Sequence, residues 1–150
     1  MNQSDTHSIQ LLQKIYGTAD KMAISTSLNN QADVRIINYV WFANEPNKLY
    51  FSSVRGTNSL KLYQAGADVA FITIPQDGTP YNPFIRAKGV KAIPSDKTMS
   101  ELLPRYLELV PGYQKTWDAI GPSLVVYEII LKNVHIDAGI GQEKIDLYFN

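Results

Sequence analysis

From residue 22 onward the chain is divided into short runs rich in β-branched and aromatic residues, at 22–27, 35–43, 48–53, 69–74, 85–93 and 124–132. Runs of this length, bounded by Gly, Pro, Asn, Asp and Ser, read as β-strands. The separators are turn chemistry: Asn29-Asn30, Glu45-Pro46-Asn47, Asp77-Gly78-Thr79-Pro80 and Pro94-Ser95-Asp96. Connections between the first three runs are far shorter than a parallel crossover requires, so the sheet is expected to be antiparallel. Six short antiparallel strands leave exposed edges unless the sheet curls on itself. The expected architecture is therefore mainly β with helices, a small closed or partly closed six-stranded antiparallel barrel in a single domain over residues 1–150.

Three segments carry helical spacing instead. In 8–16, Ile9, Leu12 and Ile15 share a face, and Gly17 follows as a residue suited to a left-handed cap. The segments 59–65 and 98–109 are the other two, the latter with Leu102, Leu103, Tyr106, Leu107 and Val110 on one broad apolar face. Pro104 falls inside it, and with Ser95 or Asp96 as the cap the proline is predicted to kink or split the helix.

Charge and composition exclude several functions. Fourteen Lys plus Arg balance 14 Asp plus Glu, so no basic field exists to track a phosphate backbone, and nucleic acid is not expected as a partner. With no cysteine the chain has no disulfide, thiolate nucleophile or Cys-ligated zinc, and it suits a reducing cytoplasm. Residues 1–9 are polar and lack a secretory layout, so export is not expected. The most apolar stretches, 36–43 and 124–131, are much shorter than a membrane span and contain Asn38 and Glu128. His7 and His135 lack metal-ligand or nucleophile-base spacing, and no apolar-embedded carboxylate pair is present to divide acid and base roles.

Two segments remain as candidate binding chemistry. Val34-Arg35-Ile36-Ile37-Asn38-Tyr39 places a lone arginine among apolar neighbours, where it either pairs with a local carboxylate or binds an anion through its planar donor fork. Pairing is the commoner outcome. Ser52-Ser53-Val54-Arg55-Gly56-Thr57-Asn58-Ser59-Leu60-Lys61 joins a strand end, a glycine turn and a helix start, crowded with hydroxyls and cations. Free N–H groups, the helix dipole and short donors at one place suit a phosphate, and an ordinary N-cap by Thr57 or Asn58 is the plainer alternative.

Taken together, the order Arg-apolar-apolar, polar turn, Leu49-Tyr50-Phe51-Ser52-Ser53, Gly56-Thr57-Asn58-Ser59, helix, Ala67-Asp68-Val69-Ala70-Phe71 resembles the FMN-binding core of the pyridoxamine 5'-phosphate oxidase-like split barrels. Arg86-Ala87-Lys88-Gly89-Val90 is similar to the family's fifth strand, and the likeness runs from the first helix to Lys132. The resemblance implies a Greek-key, FMN-binding split barrel. It implies Arg35, Thr57, Ser59 and Lys61 for the flavin phosphate, with Asn58 in the same turn, and Ile36, Ile37, Asn38, Ser52 and Ser53 for the ribityl chain and ring. It also implies a homodimer with flavin at the interface, with Trp117 in a region that can reach the partner's flavin or pack in the interface. Most of Tyr39, Trp41, Phe42, Tyr50 and Phe51 are expected to fill the barrel.

The chain departs from the vitamin B6 oxidases in the reacting region. Val40 stands where they carry a lysine, and Asp146-Leu147-Tyr148-Phe149-Asn150 stands where they carry Trp-Arg and Arg-Leu-x-Pro segments. The likeness is closer to the short, general-stress-protein-like members. The implied activity is an FMN-dependent oxidoreductase acting on a small molecule, with a nicotinamide nucleotide as one donor docking at the open flavin face, since no Gly-x-Gly-x-x-Gly element is present. A non-catalytic flavin-binding stress module, or a deazaflavin- or haem-binding relative of the same fold, is the alternative.

Overall fold

The computed structural model describes residues 3–149. All six expected strand runs form strands, and among the described residues the full set is nine, in two antiparallel sheets. The larger sheet has the order β2-β1-β4-β5-β8-β9: β1 Lys21–Leu28, β2 Gln31–Asn38, β4 Asp68–Ile74, β5 Phe84–Val90, β8 Asn133–Asp137 and β9 Lys144–Tyr148. The smaller has the order β3-β7-β6, from β3 Lys48–Val54, β7 Leu124–Ile130 and β6 Ala92–Pro94. The sheets stay open at their edges, which makes the barrel a split one. Four helices accompany them: α1 Gln3–Gly17, α2 Asn58–Gln64, α3 Met99–Leu109 and α4 Tyr113–Ile120. No helix among the described residues is long and apolar enough to cross a membrane.

Local chemistry accounts for most of the path. Asn29 and Asn30 both take positive φ, 52° and 64°, which closes a two-residue hairpin between β1 and β2 with Leu28 opposite Gln31. That hairpin extends β2 back to Gln31, through polar residues with no strand signal of their own. After Asn38 the chain leaves the larger sheet, so the expected strand to residue 43 ends early. Val40 then makes an isolated antiparallel bridge to Tyr50, with N···O distances of 2.9 and 3.0 Å. The run 85–93 likewise divides: β5 belongs to the larger sheet and β6 to the smaller, with the change of direction at Gly89 (φ 66°) and Lys91.

Two hydrophobic clusters occupy the two faces of the smaller sheet. Leu49 and Phe51 of β3 point with Tyr127 and Ile129 of β7 toward Met22, Ile24, Val69, Phe71, Ile85 and Ile136 of the larger sheet. Leu11, Leu12, Ile15 and Tyr16 of α1 join this core. On the opposite face Val40, Tyr50 and Val126 pack under Met99, Leu102 and Tyr106 of α3 and Tyr113 of α4. Because β3 is covered on both sides, it reads as the unbroken apolar run Leu49-Tyr50-Phe51 rather than as an alternation.

Two helix expectations are corrected. Gly17 stays inside α1 and takes no left-handed turn. The cap of α3 is neither Ser95 nor Asp96 but Thr98, whose Oγ1 accepts from the Glu101 N–H at 3.2 Å. Helix α3 then runs unbroken through Pro104. The hydrogen bond that proline cannot donate would have gone to the Ser100 carbonyl, on an exposed residue of the first turn where water can serve it.

Candidate functional site

The two candidate segments meet where β2 of the larger sheet approaches β3 of the smaller. Ile37 and Asn38 from β2, and Ser52, Ser53 and Val54 from β3, line a cleft of about 290 Å³. Its other wall is helical: Tyr106 from α3, with Tyr113, Thr116 and Ile120 from α4. Asn38 is held in place because its Nδ2 donates to the Asp20 carbonyl at 3.0 Å. The Tyr106 and Tyr113 rings stack with centroids 4.5 Å apart.

Ser52 is the polar centre of this wall. It lies beside both tyrosines; burial pushes the Tyr106 and Tyr113 hydroxyls up from their ordinary range, and Ser52 opposes the shift at each. The Tyr106 hydroxyl is buried, with Ser52 as its hydrogen-bonding neighbour.

Ser53 extends the polar surface toward α2. Its Oγ lies 3.3 Å from the Thr57 Oγ1. Thr57 occupies the N-cap position of α2 but its side chain caps nothing, so the plain N-cap reading does not account for its hydroxyl. No acidic residue stands in the first turn of α2. Ser59 is half-buried in that turn, while Asn58 and Lys61 are exposed.

Arg35 pairs with Asp33, two residues away on the same strand face, at 2.7 Å. The pairing reading of this arginine therefore holds. The bond engages one guanidinium nitrogen of a side chain 26% exposed, and Asp33 is itself 60% exposed, so the pair is weak and leaves further N–H groups to an anion. Ile36 points the other way and is 65% exposed, as is Val34, on a strand whose outer edge pairs with no other strand among the described residues.

Of the eleven residues singled out from sequence, Ile37, Asn38, Ser52 and Ser53 line the cleft together. Thr57 adjoins it through Ser53, whereas Arg35, Ile36, Asn58, Ser59, Lys61 and Trp117 are not part of its lining. Trp117 is half-buried against the cluster under α3 and α4, over Gly121. Tyr106, Tyr113, Thr116 and Ile120 were not anticipated as lining. The signal for α4 was present as Tyr113, Thr116, Trp117 and Ile120 at helical spacing.

His7 pairs with Glu143 at 2.8 Å and His135 with Asp146 at 3.0 Å, and neither reaches the cleft. Among the described residues no cluster of His, Asp and Glu could hold a metal ion.

Comparison with known proteins places this geometry. The solved structure of General Stress Protein 26 from Bacillus anthracis str. Sterne superposes with a TM-score of 0.66 at 16% identity, covering 94% of this chain and 99% of that one. A FAD-binding protein from Mesorhizobium loti gives 0.59 at 13% identity over 89% and 92%. A heme binding protein from Mycobacterium smegmatis gives 0.70 at 8% identity over 94% of this chain and 57% of that one. These likenesses establish the split-barrel fold. No curated protein sequence matches the chain. Residues 15–143 match the family described as Pyridoxamine 5'-phosphate oxidase-like, a span that takes in both candidate segments and every lining residue of the cleft, and the chain belongs to that family.

Proposed function

We propose that this protein is an FMN-dependent oxidoreductase that acts on a small molecule as a cytoplasmic homodimer. The observation that carries the reading is the convergence of Ile37 and Asn38 from one sheet with Ser52 and Ser53 from the other on a single cleft, continued by the Ser53–Thr57 hydroxyl pair toward the start of α2. In this reading the isoalloxazine ring and ribityl chain lie along Ile36, Ile37, Asn38, Ser52 and Ser53. The phosphate lies toward Arg35, Thr57, Asn58, Ser59 and Lys61.

The fit of these residues to a flavin rests on their chemistry. The Ser52, Ser53 and Thr57 hydroxyls supply donors, and the flat aromatic wall of Tyr106 and Tyr113 suits a ring system. At about 290 Å³ the cleft is small beside ordinary ligand pockets. A second copy docking on the exposed Val34 and Ile36 of the edge strand would enclose the rest. Bound flavin would supply electron or hydride transfer, while the protein binds and orients it. A histidine-ligated haem is less well served, since neither histidine is near the cleft.

The test is the visible absorption spectrum of the purified protein, with the released ligand identified by mass and turnover assayed with reduced nicotinamide nucleotides. A flavin spectrum, an FMN mass and reduction of the bound flavin are expected. Retained FMN with no reduction by any donor would leave a flavin-binding module, and failure to bind added FMN would overturn the reading.

A further inference from the structure

Two stretches of chain change sheets side by side. β5 gives way to β6 around 88–91, and β7 to β8 around 130–133. The β5–β8 ladder stops at Arg86 opposite His135, and the β6–β7 ladder begins at Ala92 opposite Ile129, so no strand pairing joins the two crossings. Between them lies a cleft of about 350 Å³ whose lining includes Lys88, Gly89, Lys91, Ile93, Ile130 and Lys132. It shares no lining residue with the β2–β3 site. A β-bulge shapes one wall: between the pairs Val69–Val90 and Phe71–Ala87, β4 has one residue, Ala70, and β5 has two, Lys88 and Gly89. An inserted residue of this kind bends its strand and re-aims the side chain beside it. Gly89 takes φ 66°, and a Cβ there would meet nothing within 4 Å, so the backbone at the bulge is bare.

The charge of this lining selects its ligand. The chain as a whole balances 14 cations against 14 carboxylates, yet the cleft holds three lysines and no acid. All three lysines are exposed. Lys91 is engaged, with Nζ 2.7 Å from the Asp68 carboxylate and 2.6 Å from the Gly66 carbonyl oxygen. Lys88 and Lys132 make no ion pair among the described residues, and they come from opposite crossings. Two unpaired ammonium groups facing one cleft suit a compact anion of more than one charge, and lysine serves phosphate as a point charge. Ile93 and Ile130 supply the apolar part. They are diagonal neighbours on one face of β6 and β7, 40% and 42% exposed, and covering them removes hydrocarbon from water. We infer that this cleft is a second binding site, for a small phosphate monoester whose phosphate lies between Lys88 and Lys132 while its organic group covers Ile93 and Ile130.

Three probes test the inference on the full-length protein: phenyl phosphate, inorganic phosphate, which lacks the ring, and benzyl alcohol, which lacks the charge. Binding is read from backbone amide shifts, with Gly89, Lys91 and Lys132 reporting this cleft and Ser53 and Thr57 reporting the β2–β3 site. Phenyl phosphate is expected to shift the first set and to bind more tightly than either other probe. Lys88→Gln and Lys132→Gln are each expected to weaken both phosphates about two- to fivefold, the span of an exposed charge pair. Lys14→Gln removes the same charge from α1 and is expected to change neither. Ile93→Thr is expected to bring phenyl phosphate down to the affinity of inorganic phosphate, which it leaves unchanged. The substituted side chains are all exposed, so each variant should fold. Shifts confined to Ser53 and Thr57, equal weakening by Lys14→Gln, or benzyl alcohol binding as tightly as phenyl phosphate would each overturn the site. A preference for phenyl phosphate that survives Ile93→Thr would overturn the apolar half of it.

Discussion

Arg35→Ala separates the phosphate role of this residue from a structural one. A hydrogen bond from a guanidinium to a phosphate contributes about 1.5–3 kcal/mol. Against this stands the Asp33 pair, which the phosphate would loosen; both partners are partly exposed, so the pair contributes at most about 1 kcal/mol after screening. The net loss on truncation is then about 1–2 kcal/mol, a five- to thirtyfold rise in the Kd for FMN. Stability should change by less than about 1 kcal/mol, because the side chain lies on an edge strand and its carboxylate partner is 60% exposed. Riboflavin, which lacks the phosphate, provides the control. Fluorescence titration of apoprotein with both flavins should show weakened FMN and unchanged riboflavin binding. Asp33→Asn should move FMN in the opposite direction by freeing the guanidinium. Equal weakening of both flavins by Arg35→Ala would mean that the arginine only shapes the strand, and unchanged FMN affinity would remove it from the site.

Other perturbations follow from the packing. Burial raises the hydroxyl pKa of Tyr16, Tyr39 and Tyr106 above the ordinary value near 10, so these groups stay neutral when folded while the unfolded chain ionises. The unfolded state then binds fewer protons, and stability, complete below about pH 10, should fall above it by up to about 1.4 kcal/mol per pH unit for each tyrosine; a flat denaturation midpoint between pH 9 and 11.5 would contradict this. Thr98→Ala should cost about 1 kcal/mol through loss of the α3 cap, read from urea unfolding, whereas Asp96→Ala should be nearly neutral. Gly139→Ala should destabilise by at least about 2 kcal/mol: a Cβ there would meet the Tyr81 Cβ at 2.6 Å and carbonyl oxygen at 2.8 Å, at a φ of 123°. A stable Gly139→Ala protein would mean that the loop before β9 can move away.

What was legible in the sequence was local. The Asn29-Asn30 hairpin and the six apolar runs are fixed by neighbours in the chain, and each forms as expected. The ends of the strands were not legible, because they depend on which sheet the chain joins next. Tyr39 continues the apolar texture of β2, yet Val40 bonds to Tyr50 in the other sheet, so the strand stops while the composition does not change. The strands β8 and β9 were missed for a related reason. Asn133-Val134-His135-Ile136-Asp137 and Lys144-Ile145-Asp146-Leu147-Tyr148 are short alternating segments near the apolar run of β7, and the pairing of Val134 with Leu147 and of Ile85 with Ile136 is what makes them strands.

The candidate site follows the same division. Its strand half, Ile37, Asn38, Ser52 and Ser53, lay in segments whose residue types are unusual for their surroundings, so the sequence drew attention to them. Its helical half carried no such contrast. Tyr106 sits at a position of α3 that any amphipathic helix would fill with a large apolar residue, and the six other buried residues of its cluster are all apolar residues or tyrosines. Its hydroxyl is distinguished by meeting Ser52 across the cleft, a property of the folded surroundings and not of the chain. Periodicity identifies which side chains are buried, whereas a binding role resides in the polar groups that the fold brings together at one cleft, here Asn38, Ser52 and Ser53 from two different sheets.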